Sequence, residues 1–204
     1  MEITRNDFKQ LYQTLRAEFG PQGWWPADND VEMLCGMILV QNTNWQNVDQ
    51  SLANLRQATN FDLATILGLP EAELQALIRP SGFYRNKARA IRNVLTMYRD
   101  EYPALRIWAT PALRKHLLAI KGVGFETADV MLVYLFDRAV MVADNYARRV
   151  VAARWGLTMT YQSLWAAAMA DFPLTAAEAK EFHALLDEAG KRLPQRWKLV
   201  KEKK

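Results

Sequence analysis

The stretch Leu117–Val150 reads LLAIKGVGFETADVMLVYLFDRAVMVADNYARRV, and its reading decides the fold. Its apolar pattern predicts a helix ending at Lys121, a tight turn at Gly122-Val123-Gly124, and a second apolar helix starting near Thr127. Asp144 arrives after that second helix. A helix–GVG–helix unit exposes backbone N–H groups at a helix N-terminus, which suits a phosphate. Two glycines let an anion approach the main chain closely. Taken alone, the unit reads equally well as a packing corner between two helices, so the rest of the chain has to supply context.

That context is helical throughout. Phe8, Leu11, Leu15 and Phe19 share one face of a first helix, which Gly20-Pro21 ends. Val31, Leu34, Cys35, Ile38 and Leu39 mark a second, and Val48, Leu52 and Leu55 a third. Leu69-Pro70-Glu71 opens another helix with proline in its first turn, and Pro80-Ser81-Gly82 closes it. Ala88, Ile91, Leu95 and Tyr98 define the next, and Thr110-Pro111 starts the helix that runs into the GVG turn. Thr175 and Glu178 have the spacing of a capping box. These signals predict about ten short helices and no strand, hence an all-α fold.

Composition narrows the function classes. The chain has 204 residues, half of them hydrophobic and 24% charged, which is a globular composition with enough length for a sizeable core. No apolar run reaches the ~18 residues of a membrane span, and MEITRNDFKQ lacks the layout of a signal peptide. The expectation is a cytoplasmic, nucleoid-associated protein with no membrane partner. A net charge of +4 and a pI near 9.2 permit a polyanionic partner. One cysteine, Cys35, excludes an internal disulfide and a cysteine-ligated cluster within the chain. His116 and His183 lack metal-ligand spacing and are read as structural; no metal site is expected.

The segment Leu117–Val150 resembles the helix–hairpin–helix, glycine-rich loop and aspartate signature of the endonuclease III-like DNA glycosylase superfamily. Two upstream segments agree in order and spacing. Val40-Gln41-Asn42-Thr43-Asn44 is similar to the family's S-x-Q-x-T-like turn, and Gly82-Phe83-Tyr84-Arg85-Asn86-Lys87-Ala88 to its G-[LF]-Y-x-x-K-A turn. The resemblance implies two helical lobes with a central cleft. One would be residues 23–138, carrying the hairpin; the other would join residues 1–22 to 139–204. The preferred partner would be double-stranded DNA with a damaged base, bound by a monomer.

Two departures matter. Family members that also cut the backbone carry a lysine two residues after the second hairpin glycine; this chain has Glu126. A carboxylate cannot form a Schiff base with a sugar carbon. The family's C-terminal four-cysteine iron–sulfur loop is also missing; the chain reads Ala189-Gly190-Lys191-Arg192-Leu193 there. With Gly23-Trp24-Trp25-Pro26 and Trp45, these features resemble the bacterial 3-methyladenine DNA glycosylase branch that lacks the cluster.

The resemblance then assigns roles. Asp144, eighteen residues after Glu126, would be the catalytic carboxylate, although it also has the residue type and place of a helix N-cap. Trp24, Trp25, Pro26 and Trp45 would flank the extruded base; a helix entry packed on the core is the alternative. Glu126 and Lys191 are further candidates for the base pocket, Lys191 also suiting a helix-end dipole. Gln41 would fill the space left by the flipped nucleotide, or be a solvated turn residue. Arg85, Lys87, Lys121, Gly122, Gly124 and Thr127 would contact DNA, the charged ones competing with a plain solvated helix face. The carbonyls of Leu118, Ile120 and Val123 would hold a monovalent cation as in relatives. The implied activity is monofunctional removal of alkylated purines such as 3-methyladenine. The alternatives are a bifunctional glycosylase–lyase acting on oxidised pyrimidines, and a non-catalytic binder of damaged DNA.

Overall fold

The computed structural model describes residues 3–23, 25 and 27–193. Among these the chain is all-helical: twelve α-helices and one short 3-10 turn, with no strand. They are α1 (Arg5–Phe19), α2 (Asp30–Leu39), α3 (Trp45–Thr59), α4 (Leu63–Gly68), α5 (Glu71–Leu77), α6 (Tyr84–Asp100), α7 (Tyr102–Leu105), α8 (Thr110–Ala119), α9 (Phe125–Tyr134), α10 (Asn145–Trp155), α11 (Tyr161–Met169) and α12 (Ala176–Arg192), with the 3-10 turn at Arg79–Ser81 between α5 and α6.

The starts and stops have local causes. Thr4 and Asp7 form a capping box on α1, and Gly20 ends it at φ 70. Thr175 and Glu178 form the expected box on α12. Asn29, Asn44, Asp62 and Thr160 cap α2, α3, α4 and α11 through their side chains. Pro70 takes the N-cap position of α5, one residue ahead of its expected first turn.

Contacts divide the chain into two compact units, Trp25–Met131 and Met1–Trp24 with Leu132–Lys204. In the first, α2 is the central helix: every residue from Val31 to Leu39 is buried, the charged Glu32 with Arg56 as its ion-pair partner. The apolar faces of α3 and α6 close over it, with Leu55, Ile91 and Leu95 fully enclosed. In the second, α10 and α12 pack against each other and α12 packs on α1. Phe8, Leu15, Val151, Leu164, Phe182 and Leu185 fill that core. Each core replaces water contact by apolar contact at roughly 25 cal/mol per Å² buried.

Candidate active site

The hairpin belongs to the unit Trp25–Met131. Helix α8 ends at Ala119, and the turn tightens as Ile120 N–H donates to Leu117 O at 3.1 Å and Val123 N–H to Ile120 O at 3.0 Å. Helix α9 then starts its ladder from the Gly124 carbonyl, which accepts Ala128 N–H at 2.9 Å. Gly122 sits at φ 100, and a Cβ there would lie 2.4 Å from Ala90 Cβ on α6. Only glycine fits between the turn and that helix. Gly124 is different: a Cβ there meets nothing within 4 Å. The protein itself does not demand that glycine.

Side chains pin this turn from three directions. Gln41, after α2, donates from Nε2 to Gly122 O at 3.2 Å and to Thr127 Oγ1 at 3.0 Å. Asn93 of α6 donates to Lys121 O at 2.9 Å. Arg114 of α8 grips the fully buried Asp129 of α9 through two bonds of 2.6 and 2.8 Å, a fork geometry that fixes both helices. Thr127 is buried, whereas Lys121 and Glu126 are exposed, Glu126 in the first turn of α9.

Arg85 is exposed in the first turn of α6. Lys87 is not: it is 3% exposed, and its Nζ donates to Leu39 O and Ser81 O, both at 2.7 Å. Its expected DNA contact is thus corrected. The ammonium closes the last carbonyl of α2 and the end of the 3-10 turn, and burial pulls its pKa down to about 8. Phe83 stands 70% exposed at φ 46 just ahead of α6. In the sequence it counts only as a motif letter; the signal that marks it is an aromatic between Gly82 and a helix start.

Trp25 and Trp45 form an edge-to-face pair in the same unit, ring centroids 5.6 Å apart at 73°. Trp45 opens α3 beneath its Asn44 cap, and Trp25 lies over Gly36 of α2. Both rings are half-buried. Trp24 and Pro26 lie outside the described residues. In the other unit, Glu181 of α12 accepts the Gln22 and Gly23 N–H groups at 2.6 and 3.3 Å, tying down the strap that leads to the tryptophans.

Asp144 belongs to the unit of α10 and α12. It caps α10: Oδ1 accepts Ala147 N–H at 2.7 Å, and the residue is 9% exposed. Its other oxygen, Oδ2, lies 3.8 Å from His183 Nε2 on α12. Tyr134, the last residue of α9, places its hydroxyl 2.9 Å from His183 Nδ1 and 3.2 Å from Lys180 O. Burial, with the Asp144 charge adding to it, raises the Tyr134 phenol well above its ordinary range. One and two turns beyond His183 stand Asp187 and Lys191, joined as an ion pair. Burial raises the Asp187 carboxyl, against the pull of Lys191. Burial works against the Lys191 charge too, but the bond and charge of Asp187 outweigh it and raise its pKa. Lys191 Nζ also lies 5.9 Å over the Tyr146 ring. The helices cross closely here, since a Cβ on Gly190 would come within 2.6 Å of Tyr146 Cβ.

A buried carboxylate at a helix start and a tight glycine hairpin are therefore both present, each fixed by its own surroundings. The family model for HhH-GPD superfamily base excision DNA repair proteins matches residues 35–204. The chain belongs to this superfamily. Over 187 residues it is 36% identical to "Putative DNA repair glycosylase MJ1434" of Methanocaldococcus jannaschii, covering 88% of this chain and 84% of that protein. It is 33% identical to Endonuclease III of Bacillus subtilis over 84 residues, 41% of this chain and 36% of the relative. Its structure matches that of the H. pylori 3-methyladenine DNA glycosylase MagIII bound to 1,N6-ethenoadenine, with a TM-score of 0.73 and 25% identity over 91% of this chain and 97% of that one.

This HhH-GPD protein is thus a DNA glycosylase by family. An iron–sulfur cluster does not fit its residues: four thiolates are needed, and the one cysteine, Cys35, is fully buried in α2 with its thiol pushed up to about 12 by burial. Among the described residues no group of three His, Cys, Asp or Glu side chains is placed to hold a metal ion, and no helix is long and apolar enough to cross a membrane. His183, read from the sequence as isolated, lies beside Asp144.

Proposed function

We propose that this glycosylase hydrolyses the N-glycosidic bond of alkylated purines in DNA, 3-methyladenine foremost, and leaves the strand uncut. The observation that carries this reading is Glu126, an exposed carboxylate in the first turn of α9, where lyase relatives have their lysine. Without an amine at that point the covalent route to strand cleavage is lost, and water is the acceptor left. Asp144 supplies the other half. As the base leaves, positive charge builds on the sugar; a fixed carboxylate stabilises that charge and orients or deprotonates the attacking water. The likeness to an H. pylori 3-methyladenine glycosylase that holds a modified adenine, 1,N6-ethenoadenine, supports the same substrate class.

The substrate's own chemistry fits these parts. N3-methylated adenine is cationic and already a good leaving group, so it needs little acid help. Aromatic faces such as those of Trp25 and Trp45 favour a cation by up to ~2 kcal/mol when water is excluded. The base has to be flipped out of the duplex first. Gln41 and the exposed ring of Phe83 are candidates for supporting the opened duplex. Main-chain N–H groups at Gly122 and Gly124, with Lys121 and Arg85, would meet phosphates, and a monovalent cation would sit on the hairpin carbonyls. We read the protein as a monomer acting on double-stranded DNA in the cytoplasm, with no iron–sulfur cluster.

The test is base release from duplexes carrying methylated adenines, methylated guanine or oxidised pyrimidines, combined with borohydride trapping. Release of methylated adenine without a trapped adduct is expected. A covalent adduct with oxidised pyrimidine would overturn the reading in favour of a lyase, and tight binding without any release would make the protein a damage binder.

A further inference from the structure

Asp144 has two oxygens, and only Oδ1 is spent on capping α10. We propose that His183 is a positioning residue for Asp144: held from behind by Tyr134, it turns an N–H toward Oδ2 and keeps that oxygen aligned for base release. The inference rests on the reading of Asp144 as the catalytic carboxylate.

The geometry leaves His183 little choice of proton placement. Its Nε2 faces Oδ2 at 3.8 Å, longer than a hydrogen bond but close enough for strong charge coupling in a buried setting. A closure of less than ~1 Å makes it a hydrogen bond, as catalytic contacts often do when substrate binds. If Nε2 lacked a proton, its lone pair would face a carboxylate. That arrangement is repulsive, so Nε2 carries the proton. In the neutral ring Nδ1 is then the acceptor, and Tyr134 Oη donates to it across 2.9 Å. In the imidazolium, Nδ1 donates to Oη and Tyr134 turns its own O–H toward Lys180 O at 3.2 Å. Both states present N–H to Asp144. The Tyr134 phenol is held protonated by its burial and by the Asp144 charge, so it remains a donor.

The surrounding charges explain why such a partner is needed. Asp144 shares its corner with a second carboxylate, Asp187, and the Asp144 charge adds to the burial that raises the Asp187 carboxyl. Asp187 has Lys191, above Tyr146, as its own cation. Glu181, farther back on α12, adds negative potential at Tyr134. His183 is the donor that faces Asp144 Oδ2.

The experiment measures single-turnover base release against pH for the full chain carrying His183→Phe, His183→Gln, Tyr134→Phe or Asp144→Asn, alongside binding to damaged duplex and circular dichroism. His183→Phe should lower the maximal rate about 10- to 100-fold. Its duplex affinity should stay within about twofold, and its acid-side fall in rate should move to higher pH by about one unit. His183→Gln, which keeps an N–H, should recover part of the loss. Tyr134→Phe should shift the profile in the same direction by less. If Asp144→Asn is inactive while His183→Phe keeps the wild-type rate and pH profile, the inference fails and the role of Asp144 stands. If Asp144→Asn is fully active, the reading of Asp144 itself fails. If His183→Phe does not fold, an unchanged pH profile in Tyr134→Phe overturns the inference.

Discussion

Helices α9 and α10 begin differently. Helix α9 starts from Gly124, which has no side chain and leaves the space above it open. Helix α10 starts from Asp144, whose carboxylate satisfies its own helix end at 2.7 Å. A helix start with open main chain attracts an anion. One already filled by an anion offers that negative charge to a cation instead. The proposed function gives these two helix starts opposite partners, a phosphate at α9 and a developing positive sugar at α10.

The comparison breaks most sharply at Asp144. Asparagine caps as well as aspartate, so Asp144→Asn should fold normally and melt within a few degrees of wild type. Base release should fall about 10²- to 10³-fold, the cost typical of losing one transition-state electrostatic contact. Wild-type rates in that variant would reduce Asp144 to a cap. On the hairpin side, Gly122→Ala should destabilise by about 3 kcal/mol in denaturant melts. The new Cβ meets Ala90 at 2.4 Å and the backbone stays in the left-handed region.

Lys87→Met should cost about 2 kcal/mol, because the Leu39 and Ser81 carbonyls lose their donor inside the protein. This lysine also gives stability a pH slope. Between about pH 8 and the ordinary lysine value of 10.5, the unfolded chain holds a proton that the folded chain has shed. Raising pH through that window therefore adds stability, and the methionine variant should lack that gain. The smallest effect sharpens the comparison most. Gly124→Ala should change stability by only about 0.5 kcal/mol, since nothing in the protein occupies that space. Duplex affinity should nevertheless drop about fivefold if a phosphate packs there. Unchanged affinity would count against the hairpin as the phosphate site.

What was legible in the sequence was local. The helical periodicity, the Thr175 box and the GVG turn all rest on neighbours a few residues apart, and each stands in the structure. Helix α8 nonetheless stops at Ala119 rather than Lys121, and α9 starts at Phe125 rather than Thr127, because the ladder begins at the Gly124 carbonyl. The short helices α4 and α7 escaped, being too brief to show a period. Lys87 looked like a surface cation because its partner Leu39 O lies 48 residues away. His183 looked isolated for the same reason: its neighbours Asp144 and Tyr134 belong to other elements. A trace was visible, since His183, Asp187 and Lys191 recur every fourth residue along one face of α12.

The crossing at Gly190 gives that corner a mechanical property. Where α12 meets Tyr146 there is no room even for a methyl group. The two helices rest against a hard stop, and neither can slide along the other without the backbone first lifting away. Side chains elsewhere can swing between rotamers without moving that stop. The approach of α12 to α10 is therefore set by main chain at this point, while the His183 and Asp144 side chains can still close the last part of their gap by rotation.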